Sequence, residues 1–343
     1  MAYRVTIRDV AADAGVSITT VSHVLNRVAG KRVSPETRAR VEAAAARLGY
    51  APNVLAQSLR TNRSGTIGLI GDEIATTPFA GKIILGAQDA VKSHDSVLLI
   101  ATTGYERDVE EREIRELLRR QVDGVLYAAM YHREVVVPDV LRGVPVVVLN
   151  AFSADPTVPW VVPDESQGAV DAVDILIRAG HRRIAFINNE DDIPARHLRE
   201  SGVRRHAAEA GLAAADLVVV TAEAEPAGGY EAGTALLSGD HRPTGVFCFN
   251  DRVAMGVYRA ARVLGLDVPA DVSVVGFDNQ EYVAEGLHPG LTTIELPHYE
   301  MGRWAVDQLF ARIEAPADTP PPVLTAKLRG AVVHRDSVAS PPR

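Results

Sequence analysis

The sequence has 343 residues, 47% of them hydrophobic and 23% charged, with a formal net charge of −8. That length leaves room for a small head and two lobes with sizeable cores, and the composition is that of a globular chain rather than a disordered one. No apolar run reaches the roughly 18 residues needed to cross a bilayer, the N-terminus has no signal-like core, and the single Cys248 excludes an intramolecular disulfide and a cysteine-rich metal site, so a cytoplasmic protein is expected.

In chain order, the first informative stretch is TIRDVAADAGVSITTVSHVLN, Thr6 to Asn26. Thr6 is an N-cap type with Asp9 three positions on, and Val10, Ala11 and Ala14 recur at helical spacing up to a turn at Gly15. Ser17 caps a second helix whose apolar face is Val21, Val24 and Leu25, with Ile18, Thr19, Ser22 and His23 outside. Two short helices joined by a glycine turn make a helix-turn-helix. A third helix starts at Ser34, has Pro35 at its first position, and runs through Val41 and Leu48 to a stop at Gly49. Residues 1 to 63 hold ten Lys and Arg against four Asp and Glu, a net of +6, which leaves −14 on the remainder. This asymmetry is expected when only the head touches nucleic acid. Beyond Tyr50, Pro52 breaks the helix, and Asn53 can cap a brief one carrying Leu55, Ala56 and Leu59 before the linker from Arg60 to Gly65. A helix of about two turns is marginal alone and is expected to order only with DNA and a second copy of itself.

The motifs IRDVAADAGVS, TTVSHVLN, VSPETRARVEAAAARLGYAPN and LAQSLRTNRSGTIGLI, in this order, resemble those of the lactose/galactose repressor family, and the similarity runs over nearly the full length. The resemblance implies that Ile18, Thr19 and His23 read base edges in the major groove, with Thr6, Ser17, Thr20, Ser22 and Asn26 around them. Ile18 stands where the family often has a polar residue, so its contribution is an apolar contact, for example with a thymine methyl. The resemblance also makes residues 51–65 a hinge helix and linker. Leu59 becomes a wedge between base pairs in the minor groove, Leu55 and Ala56 meet their dimer mates, and Arg60 lies at the DNA.

From Thr66 onward, short apolar strands (TIGLIG, SVLLIAT, GVLYAAM, VPVVVLN) alternate with helices through 87–92 and 108–120. The pattern restarts with helices over 166–179, 196–210, 229–237 and 251–264 between RRIAFIN, LVVVTA, GVFCFN and VSVVGFD. The expected fold is an all-α helix-turn-helix head, 1–50, on a two-lobed α/β body, 66–338, with two open parallel sheets like those of periplasmic binding proteins. Three crossovers, VVPDESQGA, LTTIELP and PVLTAKLRG, divide the body into lobe 1, about 66–161 and 292–322, and lobe 2, about 162–291 and 323–338.

In such sheets ligands sit beyond the carboxyl ends of the strands, so polar residues there become candidates. Asn150, Asn250 and Asp278 each follow an apolar strand, and Arg199 opens a helix, whereas Asp251 reads better as a helix cap. The resemblance matches Asn150, Arg199, Asn250 and Asp278 to effector contacts and places Phe79 on the same cleft. Amides, a carboxylate, an Arg fork and a ring suit a polyhydroxylated ligand such as a sugar. Ala224 and Ala151 stand where purine-responsive relatives carry stacking aromatics, which argues against a base. No phosphate loop, dinucleotide fingerprint, HExxH or GxSxG is present, so no catalytic residue, cofactor or metal is expected. His181 reads as a turn-orienting residue rather than a ligand, and Cys248 as a buried small hydrophobe. The expected protein is a homodimeric repressor on a near-palindromic operator, with dimer contacts near Gly86 to Val91 and Tyr282 to Leu287 and no membrane partner. The alternatives are a corepressor-dependent regulator sensing another metabolite, or a solute-binding protein or enzyme on the same body.

Overall fold

The structure is a computed structural model that describes residues 5–25, 32–50, 63–74, 81–316 and 318–342. It divides into two compact units, Met1–Gly65 and Thr66–Arg343.

The head unit contains α1 (Ile7–Ala14), α2 (Ile18–Leu25) and α3 (Pro35–Leu48). Their ends are set by local chemistry. Asp9 accepts from the Thr6 backbone N–H at 2.8 Å, Ser17 Oγ accepts from Thr20 N–H at 3.1 Å, and Ser34 Oγ accepts from Thr37 N–H at 3.2 Å. Gly15 and Gly49 close α1 and α3 at φ 64° and 65°, a conformation a side chain would strain. Val10, Ala14, Val21, Val24, Val41 and Ala44 form one small core.

In the body, the first sheet has strand order β11-β5-β4-β3-β1-β2, built from Thr66–Gly71 (β1), Val97–Thr102 (β2), Gly124–Ala128 (β3), Val146–Leu149 (β4), Trp160–Pro163 (β5) and Thr325–Leu328 (β11). Helices α4 (Gly81–Ser93) and α11 (His298–Glu314) cover one face and α5 (Arg107–Arg119) the other. The second sheet has order β12-β10-β9-β8-β6-β7, from Ile184–Asn189 (β6), Leu217–Ala222 (β7), Gly245–Cys248 (β8), Ser273–Asp278 (β9), Thr292–Glu295 (β10) and Val332–Val333 (β12). It lies between α6 (Glu165–Ala179) with α7 (Pro194–Glu209) and α8 (Pro226–Leu237) with α9 (Asp251–Val263); a short α10 (Glu281–Ala284) follows β9. Both sheets are parallel apart from β12, which runs antiparallel to β10.

The expected lobe boundaries need one correction. Thr292–Glu295 pairs with β9 and so belongs to lobe 2, whereas Thr325–Leu328 pairs with β5 and belongs to lobe 1. The chain changes lobe after these strands, at Leu296-Pro297, where proline ends the ladder, and between Arg329 and Ala331. There a Cβ on Gly330 would lie 1.8 Å from the Glu295 carbonyl oxygen, so only glycine lets the two strands of the crossing pass. The crossings are tied together: Asp164 N–H donates to Leu328 O at 2.8 Å, and Glu295 N–H to Ala331 O at 2.8 Å. Lys82 Nζ, at the start of α4, reaches Glu295 at 2.6 Å and Glu281 at 2.8 Å, linking lobe 1 to lobe 2.

One helix pair of lobe 1 is packed backbone to backbone through glycine. On α4 against α11, a Cβ on Gly86 would meet Tyr299 O at 2.0 Å and one on Gly302 would meet Ile83 O at 2.2 Å. Gly86, Ala87, Ala90 and Val91 are therefore buried inside lobe 1, contrary to their expected place in a dimer contact. The exposed apolar groups nearby are Leu85 on α4 and Val97 and Ile100 on edge strand β2, while Tyr282 in lobe 2 is 96% exposed. Cys248 is fully buried on β8. His181 is buried too, with one ring nitrogen 2.9 Å from Thr244 Oγ1 and the other 3.0 Å from Ala339 O, which pins the C-terminal segment to lobe 2.

Candidate functional site

On the head, Thr6, Ser17, Ile18 and Thr19 are exposed, and Thr20, Ser22 and His23 are half-buried. Packing of α2 on α1 and α3 leaves its N-terminal end, with Ile18 at 44% exposure, as the free surface. Ser17 and Thr20 hydroxyls also hydrogen-bond each other at 2.9 Å. Ser22 and His23 are thus less open than the helical pattern suggested. Asn26, Leu55, Ala56, Leu59 and Arg60 lie outside the described residues, as does Phe79.

In the body, the carboxyl ends of the two sheets face each other across a cavity of about 210 Å³. Lobe 1 supplies Met130, Tyr131, His132 and Asn150; lobe 2 supplies Glu165, Asn189, Arg199, Phe249, Asn250 and Asp278. All four described candidates from the sequence therefore line one cavity. A larger groove of about 490 Å³ lies on lobe 1 between residues 134–146 and 153–158. It is walled mostly by valines and exposed loop, whereas the cleft gathers buried polar side chains from both lobes, which is the mark of a ligand site.

Asn150 sits at φ 58°, in the left-handed region that few non-glycine residues adopt, just past β4. Its amide donates to Ala129 O at 3.0 Å and Met130 O at 3.1 Å, so the side-chain oxygen is left as an acceptor. Asp278, ending β9, sits at φ 97° and Asn279 follows at 50°. Such strain at a cleft persists only where the surroundings enforce it.

Arg199 is the centre of the lobe 2 wall. Its Nε donates to Glu165 at 2.7 Å, one terminal nitrogen donates to Phe249 O, and the other lies 3.8 Å from Asp278. Its guanidinium plane is stacked between Phe277, 3.6 Å to the ring centre, and Phe249, 4.3 Å. Burial would raise the Glu165 carboxyl, but Arg199 and His132 outweigh it and hold it at about 2. Burial dominates at Asp278, and despite Arg199 its pKa is raised to about 6.

The structure moves the helix cap from Asp251 to its neighbour Asn250. Asn250, not Asp251, caps α9: its side-chain oxygen accepts from Val253 N–H at 2.8 Å, and its amide donates to Ala224 O at 3.0 Å. Asp251 is buried inside the first turn, where it accepts from Thr293 Oγ1 at 2.6 Å and Gln280 N–H at 2.7 Å. Burial, then the charge of Asp278, pushes its pKa up to about 8.

Two titratable residues that meet across the cleft, His132 and Glu165, were not singled out from the sequence. His132 is buried in lobe 1, with Nδ1 3.7 Å from Glu165 Oε1 across the cleft and without a hydrogen-bond partner among the described residues. Glu165 lies within the first crossover, two residues past the apolar WVVP strand, and that position is the signal that could have found it. Among the described residues, no group of His, Cys, Asp and Glu could hold a metal ion, and no helix is long and apolar enough to cross a membrane.

Comparison with known proteins follows the same division. Residues 6–53 match the model of bacterial regulatory proteins of the lacI family, and 173–338 match a periplasmic binding protein-like domain. The ribose operon repressor of Escherichia coli strain K12 is 37% identical over 91% of this chain and 94% of its own. The lac repressor dimer bound to operator and the anti-inducer ONPF superposes with a TM-score of 0.75 at 26% identity, over 98% of this chain and 100% of that one. The transcriptional regulator CelR in complex with cellobiose gives 0.67 at 32% identity, over 97% and 100%.

Proposed function

Because this chain belongs to the lacI family of bacterial regulatory proteins, we propose that it is a cytoplasmic, homodimeric repressor that binds a near-palindromic operator and answers to a small sugar-like effector. Two of its relatives are named for ribose or bound to cellobiose, and its cleft supports the same use. The observation that carries this reading is the convergence of Asn150 from one lobe with Arg199, Asn250 and Asp278 from the other on one cavity. In this reading Thr6, Ser17, Ile18, Thr19, Thr20, Ser22, His23 and Asn26 form the major-groove surface. Leu55, Ala56, Leu59 and Arg60 form the hinge that enters the minor groove, and Phe79 completes the cleft. Leu85, Val97, Ile100 and Tyr282 are the proposed dimer contacts in place of the buried face of α4. The protein catalyses no reaction; binding alone shifts the lobes and, through residues 51–65, the head.

A thermal-shift screen of the full chain against sugars and other metabolites finds the effector, since a ligand at a hundred times its dissociation constant stabilises by about 2.7 kcal/mol. Operator affinity by fluorescence anisotropy, at fixed salt, is then measured with and without it. A change of about 5- to 150-fold is expected. A stabilising ligand that leaves operator affinity untouched contradicts the reading.

A further inference from the structure

We propose, resting on the reading of the cleft as the effector site, that it is built to reject anions: its ligand is a hydrogen-bond-donating polyhydroxyl compound that is uncharged or cationic, and phosphate or carboxylate derivatives are excluded. Arg199, the one deeply buried cation, shares its charge between Glu165 at 2.7 Å and Asp278 at 3.8 Å, and Phe249 and Phe277 cover both faces. Arg252, the other arginine on the wall, pairs with Glu225 at 3.0 Å. Asp191 and Glu223 line the exposed rim, so carboxylates outnumber guanidinium groups five to two around the cavity.

The hydrogen-bonding inventory points the same way. Asn150 spends both amide hydrogens on backbone carbonyls and turns only an acceptor toward a ligand. Asp278 and Glu165 are acceptors, and Asn250 has one amide hydrogen left after capping α9. His132 Nδ1 supplies a donor or an acceptor according to tautomer. The donors on this wall, the further N–H groups of Arg199, one Asn250 hydrogen and the Asn189 amide, suit ligand hydroxyl oxygens, while Asn150, Glu165 and Asp278 take hydroxyl or ammonium hydrogens that the dianion of a phosphate ester group does not carry. A phosphate would face this excess of carboxylates, of which Glu165 is buried and Asp278 nearly so, where like charges are weakly screened by solvent.

Inorganic phosphate tests this directly on the full chain, at constant ionic strength, by thermal shift. In the parent no saturable stabilisation passing through the cleft is expected. In Glu165→Gln, where Arg199 loses its main partner, phosphate binding should appear; should that variant fail to fold, Asp278→Asn serves the same purpose. The proposal is overturned if the parent shows a saturable rise and crystallography of the parent places phosphate against Arg199. It is also overturned if relieving Arg199 of either acid creates no phosphate site. Calorimetry with ribose against ribose 5-phosphate, and with glucose against glucosamine and glucose 6-phosphate, adds a second reading. Any neutral or amino member that binds should exceed its phosphate ester by at least about tenfold, and the reverse order sinks the proposal. Failure of the effector reading is a separate result: cleft ligands would then leave operator affinity unchanged whatever their charge.

Discussion

Glu165 and Arg199 meet at 2.7 Å in the wall of the cleft, both almost wholly buried, although 34 residues separate them and they lie on different helices. The pair changes what a substitution at Arg199 reports. Arg199→Met leaves the Glu165 carboxylate buried without its main cation, and breaking a buried pair in this way costs about 3 to 5 kcal/mol. Chemical denaturation should show that loss with no ligand present. A midpoint within experimental scatter of the parent would mean that the pair contributes nothing to the fold. Arg199 variants are therefore poor probes of effector contact, and Asp278→Asn, which keeps shape and removes charge, is the better one.

Asp251 predicts a pH dependence. Its folded pKa of about 8 stands above the usual carboxyl value of about 3.9, so the folded protein holds a proton that the unfolded chain releases. Its contribution to stability is therefore full below the unfolded pKa and is lost as pH rises toward the folded one. Stability should fall from about pH 4 to about pH 8, and Asp251→Asn, an isostere of the protonated acid, should flatten that fall. Urea unfolding at half-unit pH steps measures both. A variant whose slope matches the parent's over this range would show that another group is responsible.

Gly86→Ala should separate α4 from α11, because the new methyl would stand 2.0 Å from Tyr299 O and neither backbone can turn aside as a side chain could. Overpacking of this kind costs about 1 to 3 kcal/mol. The melting temperature reports it, and Gly81→Ala, which has open space at the same helix's start, is the control expected to stay near the parent. Equal behaviour of the two variants would contradict the close approach.

On the head, His23→Ala should relax base preference at one position in each half-site, with a loss of about 1 to 3 kcal/mol per base contact. Binding-site selection is the measurement, and an unchanged preference profile removes His23 from the reading set. Leu59→Ala should keep the dimer and lose most operator bending, because nothing would hold the unstacked step apart. Circular-permutation gels give the bend angle; full bending in the variant would exclude Leu59 as the wedge.

The parts of this protein that the sequence discloses are those decided within a few residues. Thr6 with Asp9, Ser34 with Pro35, and Gly15 and Gly49 mark helix ends because the capping partner is three or four positions away. The apolar strands announce themselves for the same reason. Asn250 and Asp251 show the limit of such reading: both are good caps, and one residue of uncertainty in where α9 begins exchanges a helix cap with a buried acid. Longer-range facts were hidden. LTTIE and VLTAKL are equally strand-like, and only pairing with β9 or β5 decides their lobes. Phe249 and Phe277 read as strand residues, and nothing local to either tells that an arginine from α7 will lie between their rings. The four described cleft candidates were found through position after a strand and family likeness, whereas the charge balance that decides what they can hold required the partners of Arg199.

The lone thiol has a practical consequence. Cys248 is fully buried on β8, and burial, with Asp251 nearby, pushes its pKa well up, so it stays protonated and out of reach of reagents that need a thiolate. The unaltered chain is thus its own blank for maleimide chemistry. A cysteine placed at exposed Arg119 on α5 and another at exposed Glu209 on α7 would be the two reactive sites of the folded body, one on each lobe. A dye pair or spin-label pair there would read the opening and closing of the cleft as a distance, on the intact regulator, without first stripping a native cysteine from the core.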